Sequence, residues 1–188
     1  MRYLILFGLA LAGAAIAQEP PADRTFAWQT NGERAAPDPS RASKDGFGVS
    51  VFVTPDIEGV WKAWGGPTPP NISVTDQIER GKPVHAMIVF NGCKAAADGN
   101  CNVTGIYSIT SPDGTAYGEP HGGKIWAGPP APGYNLQLSE GSLGLVVEPD
   151  EPLGRYMLKA SVTDHVAGIT LDVEAPVEAV EADAKSAR

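Results

Sequence analysis

Apolar residues in this chain recur with a period of two, in short runs broken by glycine and proline. That alternation constrains the fold more than any other feature. Over 48–54 it is carried by Val49, Val51 and Val53. Over 84–90, Val84, Ala86, Ile88 and Phe90 fall on one face, and His85, Met87 and Val89 on the other. Over 155–163, Tyr156, Leu158, Ala160 and Val162 share a face, and over 169–173 Ile169, Leu171 and Val173 do. Side chains of a strand point alternately to opposite faces, so this is the signature of strands with one face buried.

Further short strands are expected at 72–74, 103–110, near Tyr117, at 124–127, around Tyr134, Leu136 and Leu138, and at 143–147. Ser111-Pro112-Asp113-Gly114 supplies a strong turn between two of them. The 22 Gly and 17 Pro argue against long helices. One helical turn is expected over 56–63, with Pro55 and Asp56 at its start. The pattern predicts an all-β fold: an antiparallel β-sandwich of seven to nine strands, with a barrel as the alternative.

The ends differ from this middle. Arg2, the apolar stretch from Leu4 to Ile16 and the small residues Ala15 and Ala17 read as a secretory signal over 1–17, cut between Ala17 and Gln18. The apolar stretch is short of the roughly 20 residues that span a bilayer. Residues 18–45 read as a flexible tail, with Glu19-Pro20-Pro21 and Pro37-Asp38-Pro39, and only Phe26 and Trp28 as large apolar groups. The sandwich is expected over 46–177 and a second, Ala- and charge-rich tail over 178–188. No span remains once the signal is removed, so a periplasmic or secreted location is expected. The formal net charge of −8 includes no basic patch, which excludes nucleic acid as a partner and makes an anionic membrane surface an unfavourable one.

The two cysteines, Cys93 and Cys101, are a close, even pair, which an exported protein oxidises to a disulfide. Asp98-Gly99-Asn100 supplies a turn before the second, so the bridge staples a local loop. A redox-active pair is the rival, and it normally sits as C-x-x-C at a helix start.

Gly154-Arg155-Tyr156, the alternation after it and Val162-Thr163-Asp164 resemble the closing strands of immunoglobulin-like domains. There a Tyr after a Gly anchors a corner through its hydroxyl. Pro152 stands four residues before Tyr156, where the usual corner has an acid, and no Cys follows Tyr156, so the intersheet disulfide of that fold is missing. A wider stretch, about 51–173, is similar to a group of small exported bacterial proteins of unknown function. The segments that carry this are Arg80-Gly81-Lys82-Pro83, Phe90-Asn91-Gly92-Cys93, Gly99-Asn100-Cys101-Asn102-Val103, Pro112-Asp113-Gly114 and 150–156. That resemblance implies a bacterial periplasmic setting and no chemistry.

The motifs that carry chemistry mostly fail. Asp98-x-Asn100-x-Asn102 opens like a calcium loop, but Val103 stands where Gly is needed and Ile109 where Glu is. His85, His121 and His165 lack ligand partners at metal spacing. Ser142 lies in Gly141-Ser142-Leu143-Gly144, one residue short of a nucleophile elbow. Asn71-Ile72-Ser73 and Asn102-Val103-Thr104 are glycosylation sequons that a bacterial setting makes chance. No catalytic, cofactor or metal residue is therefore assigned.

The feature folding explains least is Trp61-Lys62-Ala63-Trp64 before a Gly/Pro-rich loop, with Trp126 before Gly128-Pro129-Pro130 as a weaker echo. Trp61 and Trp64 either cover an end of the sandwich or form a stacking surface for a ligand. The function expected is a non-catalytic binding or accessory module acting through protein–protein contacts, its partner a protein or an envelope glycan. A glycan-binding module using Trp61 and Trp64 is the alternative. A periplasmic hydrolase built from His85, His121 or His165 with distant carboxylates is the third.

Overall fold

The computed structural model describes residues 28–30, 33–36, 38–64, 70–133 and 135–182. The expected signal segment, its cut at Ala17/Gln18 and the first part of the tail lie outside the described residues.

Among the described residues, eleven strands and one helix follow in order: β1 (Gln29–Thr30), β2 (Glu33–Arg34), β3 (Arg41–Lys44), β4 (Phe47–Thr54), α1 (Ile57–Trp64), β5 (Gln77–Glu79), β6 (Val84–Asn91), β7 (Val103–Thr110), β8 (His121–Trp126), β9 (Gln137–Leu145), β10 (Gly154–Asp164) and β11 (Ile169–Val180). Nine of these strands form two sheets, ordered β5-β11-β10-β7-β8 and β3-β4-β6-β9. β1 and β2 pair only with each other. The sheets share no strand and pack face to face, so the molecule is an immunoglobulin-like β-sandwich and not a barrel. All the pairs within the two sheets are antiparallel except β5 with β11, which is parallel.

The inner faces carry the residues that alternation singles out. Val49, Val51 and Val53 of β4 meet Val84, Ala86, Ile88 and Phe90 of β6 and the inward row of β10 and β11, all buried. Fully burying one such side chain is worth about 1.5–3 kcal/mol. The other face of β6 is not a solvated one. Met87 and Val89 join Leu138 and Val60 in a second buried cluster, flanked by Trp28, Phe52, Ile57, Trp64 and Ile72. Helix α1 and the Trp28 segment thus cover the outer face of the four-stranded sheet.

Several boundaries differ from expectation, each for a local reason. Asp45-Gly46, both at positive φ, closes a two-residue hairpin and brings Arg41–Lys44 into the sheet as β3. Residues 72–74 form no strand; Ile72 packs into the second cluster instead, and pairing begins at Gln77. Two strands expected between 134 and 147 are one, β9, bent by a bulge opposite Ile88. There the Ser139 hydroxyl accepts the Ile88 N–H and donates to the Gly141 carbonyl, replacing lost ladder bonds. β11 runs on to Val180. Its outer edge is covered: Glu174 N–H donates to the Pro39 carbonyl and Glu178 N–H to the Asp76 carbonyl.

Three knots fix the ends. At one, buried Tyr156 donates to the Pro152 carbonyl, four residues back (2.8 Å), and its ring meets Tyr117 edge to face at 5.5 Å. A backbone carbonyl thus takes the place of the acid that the usual corner supplies. At the same end Arg80 donates to the carbonyls of Glu148 and Glu151. At the other, the Cys93–Cys101 disulfide closes its loop, with Cα atoms 5.9 Å apart. Beside it lies Asp164, fully buried, whose carboxylate accepts the N–H groups of Lys94 (2.7 Å), Val166 (3.0 Å) and Ala167 (3.1 Å).

The turn at 111–114 makes a pH prediction. The Thr115 N–H and the Ser111 and Thr115 hydroxyls bond Asp113 and hold its carboxyl down at about 2. A depressed folded-state value means that this contribution is complete above the ordinary carboxylate range and fades as pH falls from about 4 to 2. Proton titration by NMR is expected to place Asp113 near 2, and Asp113→Asn to flatten the acid limb of the stability curve over that interval. An unshifted Asp113 would mean the turn bonds do not persist in solution.

Candidate functional site

Helix α1 is started by its own sequence. Thr54 Oγ1 accepts the Asp56 N–H (3.1 Å), and Asp56 Oδ1 accepts the Gly59 N–H (2.9 Å), an N-cap that satisfies one orphan donor. Gly59 leaves room for that cap; a Cβ there would stand 2.1 Å from Asp56 Oδ2. Val60 is buried, with Ile57 and Trp64 beside it on the sheet. The same periodicity turns Trp61 outward, 42 % exposed, between the exposed side chains of Glu58 and Lys62. The structure therefore separates the two tryptophans: Trp64 packs inward against the second cluster and Trp61 faces solvent. Trp126 is tied to its own loop, its indole N–H donating to the Pro129 carbonyl (3.0 Å).

The histidines lie in three different places. His85 sits on β6, paired with Thr54 and Gly144, its Nδ1 buried without a hydrogen-bond partner. His165 is exposed, its Nε2 2.8 Å from Thr104 Oγ1. His121 opens β8 and is exposed. Among the described residues no histidine pairs with a carboxylate and no group of three His, Cys, Asp or Glu is placed to hold a metal ion. Asp98 is occupied by a local turn, accepting the Asn100 N–H, which lowers its carboxyl below the ordinary range.

A cleft of about 330 Å³ lies between β7, β9 and the segment leading into β8. Tyr107 and Leu143 line it, with Ser108, Ser142, His121 and Glu119. Tyr107 is more than nine-tenths buried and its hydroxyl has no hydrogen-bond partner. Burial pushes that phenol up to about 12. A second hollow, about 370 Å³, crosses the outer face of the five-stranded sheet between Pro39 and the exposed Ile106. Sequence reasoning missed the cleft. Its residues are drawn from 107–108, 119–121 and 142–143, and no linear spacing unites them. Among the described residues no helix is long and apolar enough to cross a membrane.

No family model matches the chain, and no curated protein matches it. Among solved structures it is similar to the CARDB domain of a Pyrococcus furiosus protein, determined in complex with di-metal ions. The two are 12 % identical, and the match covers 71 % of this chain and 94 % of that one with a TM-score of 0.40. It is also similar to a family 123 glycoside hydrolase from Clostridium perfringens, 8 % identical, over 71 % of this chain and 27 % of that one, with a TM-score of 0.42. The chain thus spans about a quarter of the hydrolase's length. At these scores neither likeness bears on what this chain binds or does.

Proposed function

We propose that this domain is a non-catalytic binding module that engages a protein partner through the exposed face of α1. The observation that supports this is Trp61. A large aromatic side chain stands 42 % exposed on a helix whose opposite side is anchored by Val60 and Trp64. A rigid, exposed Trp loses little freedom on binding and is the residue type that dominates interface energies. A sugar platform built from both rings would need Trp64 exposed as well, and Trp64 packs against the sheet, so the protein reading is favoured. The Cys93–Cys101 bridge fits an oxidising, periplasmic or extracellular location.

The test is capture from the envelope of the native host, followed by titration of the identified partner. Trp61→Ala is expected to keep its thermal unfolding, since an exposed site away from the core costs little. It is also expected to weaken the partner by at least about tenfold. A partner held equally by wild type and variant would remove Trp61 from the interface.

A further inference from the structure

Pro129-Pro130-Ala131-Pro132 is a P-x-x-P sequence on the loop between β8 and β9. Proline holds φ at about −65°, and the residue before a proline is driven to extended backbone. Gly128, Pro129 and Ala131 each precede one. Residues 129–131 accordingly form no strand, turn or bend. These constraints select the polyproline II conformation, which repeats every three residues and so sets positions i and i+3 on one side. The exposure follows that period: Pro129 and Pro132 are exposed, and Pro130 and Ala131 between them are half-buried.

Both ends of this ridge are fastened to the sandwich. At its start the Cys101 N–H donates to the Gly128 carbonyl (2.8 Å) and the Trp126 indole N–H to the Pro129 carbonyl (3.0 Å). At its end the Asn135 N–H donates to the Pro132 carbonyl (3.2 Å). The buried Asn91 amide donates to the carbonyls of Gly133 (3.3 Å) and Asn135 (2.6 Å). Between these anchors the carbonyls of Pro130 and Ala131 accept nothing from the described residues. A segment preset in this shape loses little entropy on docking, and aromatic-lined grooves are the surfaces that read it. No charged residue stands in 127–135, so the contact is one of packing and hydrogen bonds. We propose that Pro129–Pro132 is a docking ridge for a partner domain with an aromatic-lined groove, which packs on Pro129 and Pro132 and donates to the free carbonyls. The ridge lies at the disulfide end of the sandwich and does not involve Trp61.

The test uses the full chain labelled with ¹⁵N and titrated singly with purified WW, EVH1 and SH3 domains, whose grooves read this conformation. At least one is expected to shift the amides of Ala127, Gly128, Ala131 and Gly133. The double variant Pro129→Ala/Pro132→Ala keeps every anchoring carbonyl and changes two exposed side chains, so it is expected to fold. It should weaken that domain by at least about tenfold. A second P-x-x-P, Pro67-Thr68-Pro69-Pro70, lies largely outside the described residues, and Pro67→Ala/Pro70→Ala should leave the affinity unchanged. If the first double variant loses its dispersed spectrum, Pro132→Ala alone serves in its place and should still weaken the domain. No shift with any of the three domains at about 1 mM, shifts centred outside 127–133, or binding that survives the substitutions at 129 and 132 would each overturn the proposal. The Trp61 capture experiment reads a different surface, so its failure would leave this result untouched.

Discussion

Asp164→Ala is expected to cost about 3–5 kcal/mol of folding stability, a large share of what a domain of this size has. The carboxylate is fully buried and accepts three backbone N–H groups, from Lys94, Val166 and Ala167. Bonds to an ionised acceptor are stronger than neutral ones. Truncation leaves three part-buried donors without that acceptor, and an unsatisfied buried group carries a desolvation cost of about 1–3 kcal/mol. Two of those donors close the β10–β11 turn; the third belongs to the residue after Cys93. One side chain therefore joins the disulfide loop to the longest hairpin of the sandwich. Urea unfolding measures the loss, and amide exchange locates it: the N–H groups of Lys94, Val166 and Ala167 should exchange faster than their neighbours. Asp164→Asn, which keeps one acceptor oxygen, should lose roughly half as much. A loss below about 1 kcal/mol for the alanine variant would show that these bonds contribute little net stability.

Gly92→Ala should cost about 3 kcal/mol or more, for a different reason. Gly92 has φ +75°, a region unfavourable by about 1–2 kcal/mol for a residue with a Cβ. In addition a Cβ there would stand 1.9 Å from the Gly46 carbonyl oxygen, which is backbone in the β3–β4 turn and cannot swing aside. Gly99→Ala isolates the first effect. Its φ is +85°, but nothing lies within 4 Å of the added carbon, so about 1–2 kcal/mol is expected. The difference between the two variants in one denaturation series measures the clash alone. Equal losses would mean that the β3–β4 turn moves freely away from Gly92.

The two sheets were legible because alternation is a local signal. Val49, Val51 and Val53 need only a partner face, and any sandwich supplies one. The Tyr156 corner was legible in outline, and a backbone carbonyl at Pro152 stands in for the expected acid. The hairpin at Asp45-Gly46 was also written in the sequence, as an Asp-Gly pair before an alternating run, and the low hydrophobicity of 18–45 masked it. Met87 and Val89 show where a local signal stops. Their face is apolar, yet only the fold shows that α1 and Trp28 cover it. The cleft lies further beyond reach. Taken singly, His121 is a loop histidine and Ser142 a failed elbow. Only the packing of one sheet on the other brings the two strands they belong to, β8 and β9, to the same cleft.

The strand edge protected by Pro39 bears on where this unit begins. A chain shortened to start at residue 46, where composition suggests the domain opens, would lose β3, the Pro39 carbonyl that accepts the Glu174 N–H, and Trp28 from the outer face of the four-stranded sheet. β4 and the stretch of β11 around Glu174 would then present bare backbone to other copies of the chain, which is the usual route to edge-to-edge aggregation. Residues 38–44 thus cover an edge of each sheet.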